Sequence, residues 1–115
     1  MSEQDPHGIE QHAPGAKLDL GKLRVGLMFK GFPRALLSIA EVVTYGAVKY
    51  TPLGFLEVPD AVNRYDDAKA RHLLEGYITD TDQESTLLHM QHEAWNALAK
   101  LEIYLRSKER AVDTD

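Results

Sequence analysis

The chain has 115 residues, a formal net charge of −5 at neutral pH and no cysteine. That length suits one small domain, the acidic balance lacks the electrostatic footprint of a protein that binds nucleic acid polymers, and without thiols neither disulfides nor thiolate metal sites are available. No apolar run approaches the ~20 residues needed to cross a bilayer, and the acidic, polar start is unlike a signal peptide, so the expected setting is the cytoplasm, with no membrane partner.

In chain order, residues 1–16 are rich in Gln, His, Pro, Gly and acid, lack any apolar period and read as a disordered tail in which His7 and His12 are incidental. Residues 17–107 should form the helical domain. The apolar stretch from Gly21 to Phe29 reads as an extended or turn-like entry segment, closed by Gly31 and Pro33. A first helix should run from Pro33 to Lys49 or Tyr50, stopped by Pro52 and Gly54, with Leu36, Leu37, Ala40, Val43 and Ala47 inside and Arg34, Ser38, Glu41 and Thr44 outside. A second should begin near Pro59 and end at Leu74 or Glu75 before Gly76, with Ala61, Tyr65, Ala68 and His72 on one face. The third and longest should span Asp82 to Arg106, opened by a Thr81-x-x-Glu84 capping box and closed by basic residues that suit the helix dipole. Residues 108–115 read as a frayed tail. The fold class is therefore all-α, three main helices in a small bundle between disordered tails. Apolar residues cover more than half the circumference of the third helix, and a homo-oligomer is the economical way to hide them.

That third helix also carries the strongest chemical signal. Ser85, His89, His92 and Asn96 fall within roughly 60° of one another on a helical wheel, opposite Leu87, Met90, Ala94, Ala97, Leu98, Leu101 and Leu105. Such a line is either a solvated face or a ligand set. Asp80, Asp82 and Glu84 lie just upstream, Arg71 and His72 end the preceding helix, and imidazole with carboxylate suits a divalent ion. Glu84 has two competing readings, helix cap and metal ligand. The spacing matches no established metal signature such as H-E-x-x-H.

Four segments read in order carry a family resemblance: Lys17-x-Asp19-x-Gly21-Lys22, Tyr45-Gly46-Ala47-x-Lys49-Tyr50, Asn63-Arg64-Tyr65-x-Asp67-Ala68-x-x-Arg71-His72, and Asp82-x-Glu84-Ser85-x-x-x-His89-x-x-His92-x-x-x-Asn96. Together they resemble the small phage-associated family of dATP/dGTP diphosphohydrolases, related to the MazG-type all-α nucleotide pyrophosphohydrolases. Two positions depart from the family pattern: Gly54-Phe55 stands where an Asn-Trp pair is usual, and Thr86 where glycine follows Glu-Ser. The paired E-x-x-E and E-x-x-D motifs of the wider MazG group are absent. The resemblance implies hydrolysis of a nucleoside triphosphate, dGTP or dATP, to the monophosphate and pyrophosphate with Mg²⁺ or Mn²⁺, in the host cytoplasm if the protein is phage-encoded. On that basis Glu84, His89 and His92 are the first candidates for catalysis and metal binding, with Asp82 and His72 as further ligands or groups that orient them. Lys49, Tyr50, Arg64, Arg71 and Asn96 are the candidate substrate contacts. Two alternatives stand beside this one. An HD-type phosphohydrolase would release triphosphate, but the chain has no adjacent His-Asp pair; a non-catalytic helical oligomer that binds a nucleotide or a protein would not need acids beside the histidines.

Overall fold

The computed structural model describes residues 3–113, which divide into two compact units, one ending at Phe32 and the other beginning at Pro33. In the first unit the buried Asp5 carboxylate gathers the chain around itself, accepting the backbone N–H groups of His7 at 2.7 Å, Ile9 at 3.4 Å and Lys17 at 2.8 Å. The Leu20 N–H closes the same loop on the Gln4 carbonyl at 2.9 Å. The apolar segment expected to be extended or turn-like instead coils into a short helix, α1 (Val25–Gly31), so among the described residues there are four α-helices and not the three expected. Only Val25 in it is β-branched, while Leu27, Met28 and Lys30 favour helix. Phe32 ends it, because a residue before proline is pushed out of the α region; its N–H still bonds the Met28 carbonyl.

The second unit is built from α2 (Pro33–Lys49), a 3₁₀ turn (Gly54–Glu57), α3 (Ala61–Gly76) and α4 (His89–Asp113). Helix α4 packs chiefly along α3 and less extensively on α2, and the 3₁₀ turn rests on α3. Among the described residues there is no strand, only an isolated bridge between Thr81 and Leu88.

Two expectations about the last helix are corrected here. Helix α4 starts at His89, seven residues later than the wheel assumed, because local polar bonds win the chain before it. The Asp82 carboxylate accepts the Ser85 N–H at 2.8 Å, the Asp82 N–H bonds the Leu87 carbonyl at 2.8 Å, and Thr86 takes a left-handed backbone at φ 65° that no helix tolerates. The Thr81-x-x-Glu84 capping box is therefore not formed. Gln91 does that work: its Oε1 accepts the Leu88 N–H at 2.9 Å, and its Nε2 donates to the Ser38 carbonyl of α2 at 2.9 Å.

The inward faces also differ. In α2 the covered line is Leu36, Ile39, Val42 and Tyr45, while Leu37 is 70% exposed and Val43 points outward. In α4 the polar line is the covered one. His89, His92, Asn96 and Ala99 are buried, whereas Met90 is 74% exposed and Leu98, Leu101 and Leu105 are about half so or more. Val42, Ala61 and Ala99 are the buried apolar residues among those described. The unit covers its polar stripe and leaves its apolar stripe uncovered.

Candidate functional site

Four pieces of the second unit converge on a cleft of about 620 Å³: the C-terminal half of α2, the 3₁₀ turn, one face of α3, and the start of α4 with the loop before it. Each piece brings a different chemistry. From α2 and the residue after it come Tyr45, Lys49 and Tyr50; from α3, Arg64, Tyr65, Arg71 and His72; from the loop, Asp82 and Glu84; from α4, His92, Trp95 and Asn96.

One wall is aromatic. Trp95 meets Phe55 and Tyr65 edge-to-face, with ring centroids 5.5 and 5.4 Å away. The rim is cationic. Lys49 forms an ion pair with Glu84 and lies 5.2 Å from the centroid of Tyr50 and 5.9 Å from that of Tyr45. That ion pair raises the Lys49 pKa above its ordinary value and, with a further hydrogen bond from Tyr45, holds the Glu84 carboxyl below the usual carboxylate range. Burial, with Glu84 beside it, pushes the Tyr45 phenol up. Arg64 donates to the Pro59 carbonyl at 3.2 Å, and Arg71 has no ion-pair partner among the described residues.

Imidazole and carboxylate collect at the other end. The Nδ1 atoms of His72 and His89 are 2.9 Å apart, and the His72 ring stacks on His92 with centroids 4.6 Å apart and planes 12° from parallel. His72, Glu75, Asp82 and His89 each offer a ligand atom, all within 4.8 Å of one another. Glu75 Oε2 is 3.5 Å from His89 Nδ1. Burial lowers the pKa of both His72 and His92, outweighing the opposing pull of Asp82, so the neutral rings are favoured. For Asp82, burial works to raise the pKa, but the two hydrogen bonds from Ser85 and the nearby histidines outweigh it and the net shift is downward.

A short relay holds that carboxylate. Ser85 Oγ donates to Asp82 Oδ2 at 2.7 Å, which leaves the serine oxygen to accept from His92 Nε2–H at 2.6 Å and from the Leu87 N–H at 3.2 Å. Asn96 donates its Nδ2 to the His92 carbonyl at 2.7 Å.

The residues singled out from sequence thus fall into two groups. His72, Asp82 and His89 converge on one point, with His92 tied to Asp82 through Ser85; Glu84 stands with Lys49 and Tyr45 at the cleft rim. Glu75 and Tyr45 were missed. The signal for Glu75 was its place one helical turn after His72, at i and i+3, and for Tyr45 its place one turn before Lys49.

A family model described as dATP/dGTP diphosphohydrolase, N-terminal, matches residues 12–113. No curated protein and no solved structure matches the chain.

Proposed function

The chain belongs to the dATP/dGTP diphosphohydrolase N-terminal family, and on that premise we propose that it hydrolyses a deoxynucleoside triphosphate, dGTP or dATP, to the monophosphate and pyrophosphate with the help of a divalent metal ion. The observation that carries this reading is that a single cleft joins an aromatic wall, a cationic rim and the His72 and Asp82 side chains of an imidazole–carboxylate cluster. Those are the three surfaces that a base, a polyphosphate chain and a metal ion require.

The donor chemistry fits a metal: the imidazoles of His72 and His89 and the carboxylate of Asp82 converge, with the His72 ring favoured neutral by burial and the Asp82 carboxyl held below its ordinary value. A divalent ion bound there would neutralise phosphate charge and make water a better nucleophile. The chain's own groups do the rest. Trp95, Phe55 and Tyr65 offer faces to the base, and Asn96 lies beside them on α4. Lys49, Arg64 and Arg71 contact the phosphates, with Tyr50 beside the lysine. The oxygen of a water attacks the α-phosphorus, the α–β anhydride bond breaks, and pyrophosphate leaves with the bonding electrons. Glu84, kept ionised by Lys49 and Tyr45, accepts the proton of that water. His92 acts as a positioning residue, fixing Asp82 through Ser85.

The assembly is proposed to be a homo-oligomer. The uncovered stripe of Met90, Leu98, Leu101 and Leu105 on α4 supports it, since each such side chain is worth roughly 1.5–3 kcal/mol when fully buried.

Incubation of the full chain with each dNTP, with and without chelator, followed by chromatographic separation of the products, tests the reaction. Monophosphate with pyrophosphate is expected. Deoxynucleoside with triphosphate, or turnover that survives chelation, would refute it.

A further inference from the structure

The metal ion named above has so far been described only as divalent, and His72, Asp82 and His89 do not complete its ligand set. Glu75 does. It follows His72 by one turn of α3, its Oε2 is 3.5 Å from His89 Nδ1, and its ligand atom lies within 4.8 Å of those of His72, Asp82 and His89. Glu84, the acid that the sequence pattern favoured, is engaged by Lys49 and is not part of this group.

We infer that His72, Glu75, Asp82 and His89 form a two-imidazole, two-carboxylate centre that takes a borderline transition-metal ion of the zinc and cobalt class in preference to magnesium. The reasons are chemical and geometric. Magnesium demands near-octahedral oxygen ligation and keeps most of its water, so two imidazole nitrogens are poor partners for it; the same nitrogens are favoured ligands for Zn²⁺, Co²⁺ and their neighbours. Around a tetrahedral ion with bonds near 2.1 Å, ligand atoms lie about 3.4 Å apart. The 3.5 Å between Glu75 Oε2 and His89 Nδ1 already has that spacing. The 2.9 Å between the two imidazole nitrogens needs a separation of only about 0.5 Å, within the reach of small side-chain rotations.

The supports around the centre agree. His89 is 4% exposed, and its N–H is fixed to the Asp80 carbonyl at 2.8 Å, so the helix start cannot drift. His72 is pinned by the stacked His92 ring, and Asp82 by Ser85. Only Glu75 is exposed, which makes it the ligand free to close on an arriving ion.

The inference rests on the hydrolase reading for the role of the ion but not for its binding, so it is tested without turnover. The metal-free full chain is titrated calorimetrically with Zn²⁺ and Mg²⁺, and separately with Co²⁺ while the visible d–d bands are recorded. Zn²⁺ should bind at least about a hundredfold more tightly than Mg²⁺, and Co²⁺ should give the intense bands of a low-coordinate site with nitrogen ligands. Glu75→Gln, at an exposed position that leaves the fold intact, should weaken Zn²⁺ binding at least about tenfold and alter the Co²⁺ spectrum; His89→Ala should abolish both. Equal affinity for the two ions, or a Glu75→Gln chain that binds as the parent does while Glu84→Gln loses binding, would overturn the assignment. Tight Zn²⁺ binding in a chain that turns over no dNTP would leave the centre standing and refute only the hydrolase reading. Mg²⁺-supported hydrolysis with Zn²⁺ binding unaffected by Glu75→Gln and His89→Ala would do the reverse.

Discussion

Thr86 occupies the one position in the loop before α4 where the backbone is left-handed, at φ 65°, and a β-branched side chain is the least suited to it. Glycine stands there in the pattern this chain otherwise resembles, and the backbone explains the preference. Thr86→Gly should therefore raise stability by about 1 kcal/mol, read as a higher urea midpoint with an unchanged slope; a lower midpoint would show that the threonine side chain contributes more than its strain costs. The histidines give a second test at this scale. Burial holds His72 and His92 below their ordinary value of 6.5, so below that pH the unfolded chain binds more protons than the folded one and stability must fall with falling pH. Asp82 adds a second loss at lower pH, as it is protonated on falling through its depressed value. Metal-free protein should thus show a flat unfolding free energy above about pH 7 and a decline that begins near 6.5; stability unchanged down to pH 5 would contradict the buried neutral rings.

At the scale of elements, α4 owes its starting point to Gln91. Its side chain closes the first turn on the Leu88 N–H and ties that turn to the Ser38 carbonyl of α2, with Glu41 Oε1 3.4 Å away. Gln91→Ala leaves the helix-end Leu88 N–H without its side-chain partner and removes the tie to α2, and should cost about 1 kcal/mol. Amide exchange should accelerate first at Leu88; uniform exchange rates across α4 in the variant would show that the helix start is set elsewhere.

The spans of α2 and α3 were legible because Pro33, Pro59 and Gly76 punctuate them. The start of α4 was not, since nothing in periodicity reveals that the Asp82 side chain will capture the backbone of Ser85. The line of His89, His92 and Asn96 was legible as a line, and the helix preserves it. Its burial was not, because a wheel shows which residues share a face but not whether the apolar face or the polar one packs within the same chain. In the site, Glu75 went unread for a related reason: its chemistry depends on His89, which reaches it only through the fold.

The whole molecule poses the problem that the uncovered apolar stripe creates. Among the described residues the unit buries Val42, Ala61 and Ala99 of its apolar side chains and leaves Leu98, Leu101 and Leu105 uncovered, and the proposed homo-oligomer would cover that stripe with a second copy of the chain. Light scattering at micromolar concentration should give a mass of at least two chains. Leu101→Glu, which places a charge in the middle of the stripe, should shift the population to monomer without loss of helix. A parent chain that is monomeric at that concentration would contradict the assembly.

The reaction itself is the central claim, and the fate of one oxygen atom tests it most directly. Hydrolysis of dGTP or dATP by the metal-loaded chain in oxygen-18 water, with mass analysis of both products, records which phosphorus the water attacked. The proposed attack at the α-phosphorus places one labelled oxygen in the deoxynucleoside monophosphate and none in the pyrophosphate. Label in pyrophosphate alone, or in inorganic phosphate or triphosphate, would contradict it.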